Sequence, residues 1–232
     1  MGIPRDLTAR LLWALDELLP PILRDSQRVM ALPMRLVLGR HAAEFERFKT
    51  EAPDLDAAGF AAVYARLRGA FVDRPTDLNR RCVAAIEAHA IGTCVLDVGC
   101  GSGYLVERLA RRHRVVGCDL YIDPAQARPG GPTYCQANAE ALPFRDRQFD
   151  TVVCAHTLEH VQSLGATVSE LRRVAGRRLI VVVPRQRPSR WTFDLHLHFF
   201  PYPHSLRTAI GKAEGPSSCR IVGGDLFYVE ER

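Results

Sequence analysis

The sequence has no apolar run long enough to span a membrane and no segment typical of secretion. A membrane-spanning helix needs about 18 or more mostly apolar residues in a row, and no stretch of this chain reaches that length. Residues 1–6 lack the pattern of a signal peptide, and Asp6 stands where a myristoylation signal would carry Ser or Thr. We therefore expect a protein without a membrane span that is located in the cytoplasm.

The sequence also lacks any pattern of paired cysteines. Its seven cysteines are an odd number, and no two of them form a C-x-x-C pair. Four of them lie in or beside apolar runs, namely Cys94, Cys118, Cys135 and Cys154. We therefore expect reduced, buried thiols that behave as small apolar side chains, and not a disulfide framework.

Acidic residues are in the minority, but the positive charge is not concentrated in one region. The chain has 31 Lys and Arg against 26 Asp and Glu, a formal net charge of +5. The densest basic clusters, at 111–114 and 172–178, fall at the ends of predicted helices, where cations complement the helix dipole. Net positive charge alone indicates only non-specific attraction, so nucleic-acid binding is not favoured.

Residues 1–92 have helical periodicity and no convincing strand pattern. One apolar stripe is formed by Leu7, Leu11, Leu15 and Leu18. Further helices are predicted at about 33–49, 56–70 and 77–90. Thr76 is the expected N-cap of the last of these helices, and Gly92 follows its end. The segment 1–92 is predicted to be a helical extension that forms either a lid over an acceptor pocket or a dimerisation surface.

From residue 93 onward, short apolar runs alternate with amphipathic segments. The apolar runs are 95–98, 115–118, 133–136, 151–155 and 179–183. This alternation predicts an α/β domain over 93–232, with a parallel sheet covered by helices on both faces. An irregular stretch at 184–204 and a short helix at about 204–213 follow, and Gly223-Gly224 reads as a hairpin turn between two final runs.

A glycine-rich turn follows the first apolar run. Residues 95–105 read Val-Leu-Asp-Val-Gly-Cys-Gly-Ser-Gly-Tyr-Leu. Glycine lets the backbone adopt positive φ and approach a ligand, and the helix that follows begins with unpaired N–H groups. The dinucleotide pattern G-x-G-x-x-G would require a glycine where Tyr104 stands. Asp97 would repel a pyrophosphate, but its carboxylate suits a cationic amino-acid group.

This stretch resembles motif I of the class I S-adenosylmethionine (SAM) dependent methyltransferases, in particular the type 11-like family. Three later segments resemble further parts of that family. Asp119 follows the next strand, where an acidic residue accepts hydrogen bonds from ribose hydroxyls. Segment 136–144 resembles the part beside adenine, with Asn138 where the family usually has Asp, so that the hydrogen bond would be neutral and weaker. Segment 149–161 resembles motif IV, whose strand end lies beside the transferring methyl group.

The resemblance implies a Rossmann-like sheet of five parallel strands with a terminal antiparallel hairpin. It implies SAM as the cofactor and S-adenosylhomocysteine (SAH) as its product. The residues expected to bind SAM are Asp97, Gly99, Cys100, Gly101, Gly103, Asp119, Leu120, Asn138, Ala139 and Ala155. The expected activity is O- or N-methylation of a small molecule. A metal-assisted O-methyltransferase, an RNA methyltransferase, a non-catalytic SAM-binding regulator or partner subunit, and a homodimeric assembly stay open.

Histidines supply the candidate catalytic groups. A hydroxyl acceptor must lose a proton, and the candidate bases are His156, His196 and His198. His156 ranks first because it follows the strand end nearest the expected methyl group. The aromatic residues of the same irregular stretch would either bind a planar acceptor or form a small core of their own; they are Trp191, Phe193, Phe199, Phe200 and Tyr202.

The run from His156 to His160 also suggests a metal site. It resembles the E-x-x-E-H element with which small-RNA 2′-O-methyltransferases and some quinone-biosynthesis O-methyltransferases bind a divalent metal. On a helix, positions i, i+3 and i+4 share one face, so the expected ligands are His156, Glu159 and His160, joined by His198. Because His156 replaces the first Glu, a softer ion such as Zn²⁺ fits better than Mg²⁺. The alternative is that Glu159 and His160 only orient the helix start.

Overall fold

The computed structural model describes residues 18–67, 75–126, 128–189, 191 and 193–232. The chain divides into two units, one made of 1–74 with 186–199 and the other of 75–185 with 200–232. We call them the helical unit and the sheet unit. Leu7, Leu11 and Leu15 of the predicted stripe lie outside the described residues, as does 68–70. The predicted domain boundary at 92/93 stays a prediction, and residues 75–92 group with the sheet unit in this division.

The described part of the helical unit contains four α-helices. They are α1 Pro21–Arg24, α2 Gln27–Leu38, α3 Ala42–Glu51 and α4 Ala57–Leu67. The single helix predicted at 33–49 is wrong, because Gly39 has φ +50° and ends α2 before α3 begins. Met30, Phe45 and Phe48 are buried in this unit, and the rings of Phe48 and Phe60 lie 5.8 Å apart between centroids.

The sheet unit contains a sheet of seven strands. They are β1 Cys94–Val98, β2 Arg114–Asp119, β3 Thr133–Gln136, β4 Phe149–Ala155, β5 Ala175–Pro184, β6 Ser217–Val222 and β7 Asp225–Glu231. Their order is β3-β2-β1-β4-β5-β7-β6; β1 to β5 are parallel, and β7 is antiparallel to both β5 and β6. The predicted fold class is therefore confirmed, including the hairpin turn at Gly223 and Gly224.

Helices cover both faces of this sheet. They are α5 Arg80–His89, α6 Tyr104–Leu109, α7 Leu164–Val174 and α8 Pro203–Ile210. Successive residues of a strand point to opposite faces, so Val95 packs with α5 and α6 whereas Leu96 packs with α7 and α8. Burial on both faces explains why the central strands are continuous apolar runs. Among the described residues, no helix is both long and apolar enough to cross a membrane.

Two helix ends differ from their predicted positions. The N-cap of α5 is Asn79 and not Thr76: Asn79 Oδ1 accepts a hydrogen bond from Cys82 N at 2.9 Å. Thr76 accepts instead from Leu78 N in the preceding turn. The helix predicted to reach residue 213 ends at Ile210, because Gly211 has φ +79°. All seven cysteines are free thiols. Cys118 and Cys154 are buried as predicted, whereas Cys94 and Cys135 are only partly buried.

Candidate active site

The glycine-rich loop follows β1 at the carboxyl edge of the parallel strands. Gly99 N and Cys100 N both donate to Cys118 O, at 2.7 and 3.0 Å, which fixes the loop against β2. Gly99 and Gly101 have φ +76° and +51°, conformations that favour glycine. A Cβ on Gly99 would overlap Thr157, whereas a Cβ on Gly101 would meet no atom within 4 Å. The backbone of Gly101 therefore borders open space that a ligand can enter.

Two carboxylates lie beside this loop. Asp119 Oδ2 accepts from Gly101 N at 2.9 Å, and Asp119 Oδ1 accepts from Tyr121 N at 3.2 Å. Asp97 is only 2% exposed. Burial and, to a smaller extent, the charge of Asp119 raise the pKa of Asp97 to about 7. A buried carboxylate of this kind is ionised most readily when a cation lies next to it, so the pair is suited to a ligand with a cationic group.

The loop after β3 lies against the end of β2. Ala137 N donates to Asp119 O at 2.9 Å, and Asn138 Oδ1 accepts from Glu140 N at 2.9 Å in a tight turn. Ala139 is buried, while Leu120 is half-buried. The adenine contact of Asn138 stays a prediction, and the oxygen proposed for it already accepts a backbone hydrogen bond.

The segment after β4 is a turn and not a helix. His156 has φ +53°, and its N–H donates to Val182 O at 2.8 Å. The next helix, α7, begins only at Leu164, with Ser163 as its N-cap. The prediction that His156, Glu159 and His160 share a helix face is therefore wrong, since the left-handed backbone of His156 and the turn at 158–160 replace helical geometry.

His156 contacts a carboxylate that the sequence analysis did not identify. Its Nε2 lies 3.4 Å from Oδ2 of Asp225, the first residue of β7. This is a polar contact and not a hydrogen bond. Burial opposes protonation, but the proximity and charge of Asp225, followed by the charges of Glu159 and Asp77, raise the pKa of His156. The sequence signal for the position of Asp225 was the Gly223-Gly224 turn. The residue that follows this turn begins β7 beside the end of β5, at the carboxyl edge of the parallel strands.

The other two candidate bases belong to the helical unit. His196 is 9% exposed, and its Nδ1 lies 2.5 Å from Gln186 Oε1 and 3.3 Å from Asp194 Oδ2. His198 is half-buried. Trp191 is buried, and its Nε1 donates to Asp25 O at 3.1 Å, which favours the small-core interpretation for this ring. The catalytic roles of His196 and His198 stay predictions.

The predicted metal ligands divide between the two units. His156, Glu159 and His160 belong to the sheet unit, and His198 belongs to the helical unit. Glu159 is 1% exposed, and His160 is half-buried. Nε2 of His156 faces Asp225, which leaves Nδ1 as the ring nitrogen that can serve a further ligand. A metal at these residues stays a prediction.

Comparison with known proteins finds a family that matches part of the sheet unit. Residues 96–180 match a family described as a methyltransferase domain. The chain is 36% identical over 133 residues to a demethylmenaquinone methyltransferase of Thermobifida fusca, covering 50% of this chain and 56% of that protein. It is 33% identical over 149 residues to a ubiquinone biosynthesis O-methyltransferase of Methylococcus capsulatus, covering 58% and 57%. The chain thus spans about half the length of the curated relatives it matches.

Solved structures share the fold. A SAM-dependent methyltransferase from Thermotoga maritima, described as a possible histamine N-methyltransferase, is 18% identical with a TM-score of 0.53, covering 65% of this chain and 87% of that one. The 1,6-didemethyltoxoflavin-N1-methyltransferase of Burkholderia thailandensis is 19% identical with a TM-score of 0.52, covering 66% and 77%. The fold is therefore that of the Rossmann-like methyltransferases. Within the sheet unit, residues 96–180 carry the match to the methyltransferase domain family.

Proposed function

We propose that this chain transfers a methyl group from SAM to a small-molecule acceptor and releases SAH. The observation that carries the proposal is the pairing of the open backbone at Gly101 with the carboxylates of Asp97 and Asp119. The ammonium group of SAM is a cation that would stabilise the ionised form of the buried Asp97. The carboxylate of Asp119 can accept hydrogen bonds from ribose hydroxyls. The residues proposed to hold SAM are Asp97, Gly99, Cys100, Gly101, Gly103, Asp119, Leu120, Asn138, Ala139 and Ala155.

His156 is the proposed base for the reaction. When bound, SAM supplies an electrophilic methyl carbon, and the electron pair of the broken C–S bond stays on sulfur, which gives neutral SAH. The acceptor hydroxyl loses its proton to His156, whose position directly after β4 suits a group that acts on the acceptor. The half-buried side chain of His156, 16% exposed, limits the access of water.

We propose a hydroxylated aromatic ring as the acceptor class. The names of the relatives support it: they refer to demethylmenaquinone, to ubiquinone biosynthesis and, for a protein of Trichormus variabilis that is 38% identical over 96 residues, to 2-phytyl-1,4-naphtoquinone. Such rings carry or can be reduced to hydroxyl groups, whose deprotonation a histidine can assist. One relative, from Shewanella frigidimarina, is named a C-methyltransferase and others are named O-methyltransferases, so the names support the ring but not the methylated atom. We favour O-methylation because His156 can take the proton of a hydroxyl group.

An acceptor screen tests this function. Purified protein is incubated with SAM and a panel of phenols, catechols and hydroquinones, and SAH release is measured. We expect turnover with at least one ring that His156→Gln lowers about 100-fold, while His204→Gln, which alters an exposed histidine, leaves turnover unchanged. SAH release that is equal in both variants would contradict the role of His156.

Treatment with a chelator distinguishes the role of His156 as a base from its alternative role as a metal ligand. Because His156 Nε2 faces Asp225, we expect turnover to survive treatment with EDTA. Loss of turnover with SAM binding retained, and restoration by Zn²⁺ or Mn²⁺, would favour the metal alternative over the base.

A further inference from the structure

We propose that Asp225 is a positioning residue for His156, so that the base of the methyl transfer is a His-Asp pair built from the ends of β4 and β7. This inference rests on the proposed function. It adds a residue that lies outside the matched segment 96–180 and that belongs to the antiparallel part of the sheet.

The strand register brings the two residues together. Ala155, the last residue of β4, pairs with Val182 of β5, and Val182 pairs with Phe227 of β7. Asp225 is the first residue of β7 and pairs with Pro184, so it lies at the edge where β4 ends. His156 Nε2 and Asp225 Oδ2 lie 3.4 Å apart without forming a hydrogen bond, so that Nε2 is a buried atom with no hydrogen-bond partner. Catalytic hydrogen bonds are often long in ligand-free structures, and we infer that this contact tightens when substrate binds.

A hydrogen-bond network fixes the carboxylate of Asp225. Asn79 Nδ2 donates to Asp225 Oδ2 at 2.7 Å and to Val222 O at 3.3 Å. The other side-chain atom of Asn79, Oδ1, caps helix α5 through Cys82 N. Cys82 Sγ donates to Val222 O at 3.1 Å. A Cβ on Gly223 would overlap Asn79, so glycine in the hairpin turn allows this close approach. The direction of the carboxylate is therefore determined by helix α5, by the hairpin turn and by strand β7.

The backbone of His156 is held with similar precision. Its φ of +53° is unusual for a residue with a side chain, and its N–H donates to Val182 O. Such conformations persist where the surroundings determine them and are concentrated at functional sites. The turn directs the ring across β5 to Asp225 and away from a continuation of β4.

The contact selects one tautomer of His156. An ionised carboxylate accepts a hydrogen bond, so Nε2 carries the proton and Nδ1 keeps its lone pair. Nδ1 is then the atom that takes the proton from the hydroxyl group of the substrate, and Asp225 stabilises the imidazolium that results. The charged groups that face His156 are Asp225, Glu159 and Asp77, all of them acidic. Their charges favour the protonated product of the proton transfer.

The test compares two substitutions at opposite ends of β7. In Asp225→Asn the side chain keeps its size but loses its charge, and we expect kcat to fall about 100-fold or more with SAM affinity unchanged. The acid limb of the kcat/KM profile should move to lower pH, because the charge that favours protonated His156 is gone. The control is Glu231→Gln, which removes the charge that pairs with Arg178 at the far end of the strand and should leave kcat and the profile unchanged.

The contrary results are equally specific. A kcat and pH profile of Asp225→Asn within twofold of the wild type would overturn the proposal, as would loss of SAM binding, which would indicate a structural role. If Asp225→Asn does not fold, Asn79→Ser keeps a capping side chain but removes the donor to Asp225. A tenfold loss of kcat with unchanged SAM affinity is then expected, and unchanged kcat would overturn the proposal.

One readout does not depend on turnover. The ¹⁵N chemical shifts of the His156 ring should report the Nε2–H tautomer in the ligand-free protein, and Asp225→Asn should lower the pKa of His156. If these shifts agree while no acceptor is methylated, the His-Asp pair stands and the proposed function fails. An Nδ1–H tautomer would overturn the pair whatever the acceptor screen finds.

Discussion

Asp97 carries a carboxylate into the interior of the sheet unit, and this should be visible in the stability of the ligand-free protein. Its pKa in the folded protein, about 7, lies above the ordinary value of about 3.9 for an unfolded chain. Between these two values the folded state binds the proton more tightly than the unfolded state. The free energy of unfolding should therefore fall as pH rises from about 4 to about 7 and then level off.

Asp97→Asn should remove this decline. We expect the variant to be more stable than the wild type at pH 8, by up to about 4 kcal/mol at 1.36 kcal/mol per pKa unit, and no more stable at pH 4. Urea denaturation at a series of pH values measures it. A wild type whose stability does not decline over that range, or a variant that is less stable at pH 8, would show that burial does not disfavour the charge of Asp97.

At the residue level, the sequence predicted groups that act through local spacing and missed one that depends on distant pairing. Asp97, Gly101 and Asp119 belong to one strand-loop-helix-strand unit, so their spacing indicates their positions. Asp225 meets His156 only because β7 returns antiparallel to β5, a pairing between residues far apart in the chain. The Gly223-Gly224 turn indicates where β7 begins, but no local pattern indicates that its first residue lies beside His156.

At the level of elements, the glycine loop distinguishes two kinds of glycine. We expect Gly99→Ala to lower the free energy of unfolding by about 3 kcal/mol, because a methyl group there combines left-handed strain with overlap of Thr157. Gly101→Ala should cost only about 1 kcal/mol, because it has strain but no overlap. Its main effect should be weaker SAM binding, since the added methyl group enters the space proposed for the ligand.

Thermal unfolding with and without SAM measures both effects. The expected pattern is a low Tm for Gly99→Ala, and for Gly101→Ala a nearly normal Tm with a reduced shift on adding SAM. An equal loss of stability in both variants would contradict the packing difference. A full SAM shift in Gly101→Ala would contradict the assignment of the open space.

Sequence patterns located the strands more accurately than the helix ends. The run 133–136 coincides with β3, and the other four runs lie inside their strands. These runs are apolar because both faces of the sheet are covered, which is a strong and continuous signal. Helix ends depend on single contacts, such as the cap at Asn79 and the left-handed Gly39, which compete with the apolar periodicity. The turn after β4 escaped prediction because His156 adopts a conformation that its residue type rarely takes.

At the level of the whole molecule, the fold class and the match to a methyltransferase domain both come from the sheet unit. The roles assigned to the helical unit are still predictions. The helical unit has exposed apolar side chains on α1 and α2, including Ile22 at 81%, Leu32 at 64% and Leu36 at 75%. Helical periodicity alone does not distinguish a lid from a dimerisation surface, because both would present an apolar face. The homodimer and the cytoplasmic location likewise stay sequence-based predictions.

Binding of SAM to the intact chain tests the central claim most directly. In a calorimetric titration we expect one SAM per chain, with affinity about 10- to 100-fold lower in Asp119→Ala, because hydrogen bonds to a charged group contribute about 1.5–3 kcal/mol. Asp146→Ala, which removes an exposed carboxylate in the loop before β4, should bind SAM as the wild type does. No binding by the wild type, or equal affinity in Asp119→Ala, would contradict the account.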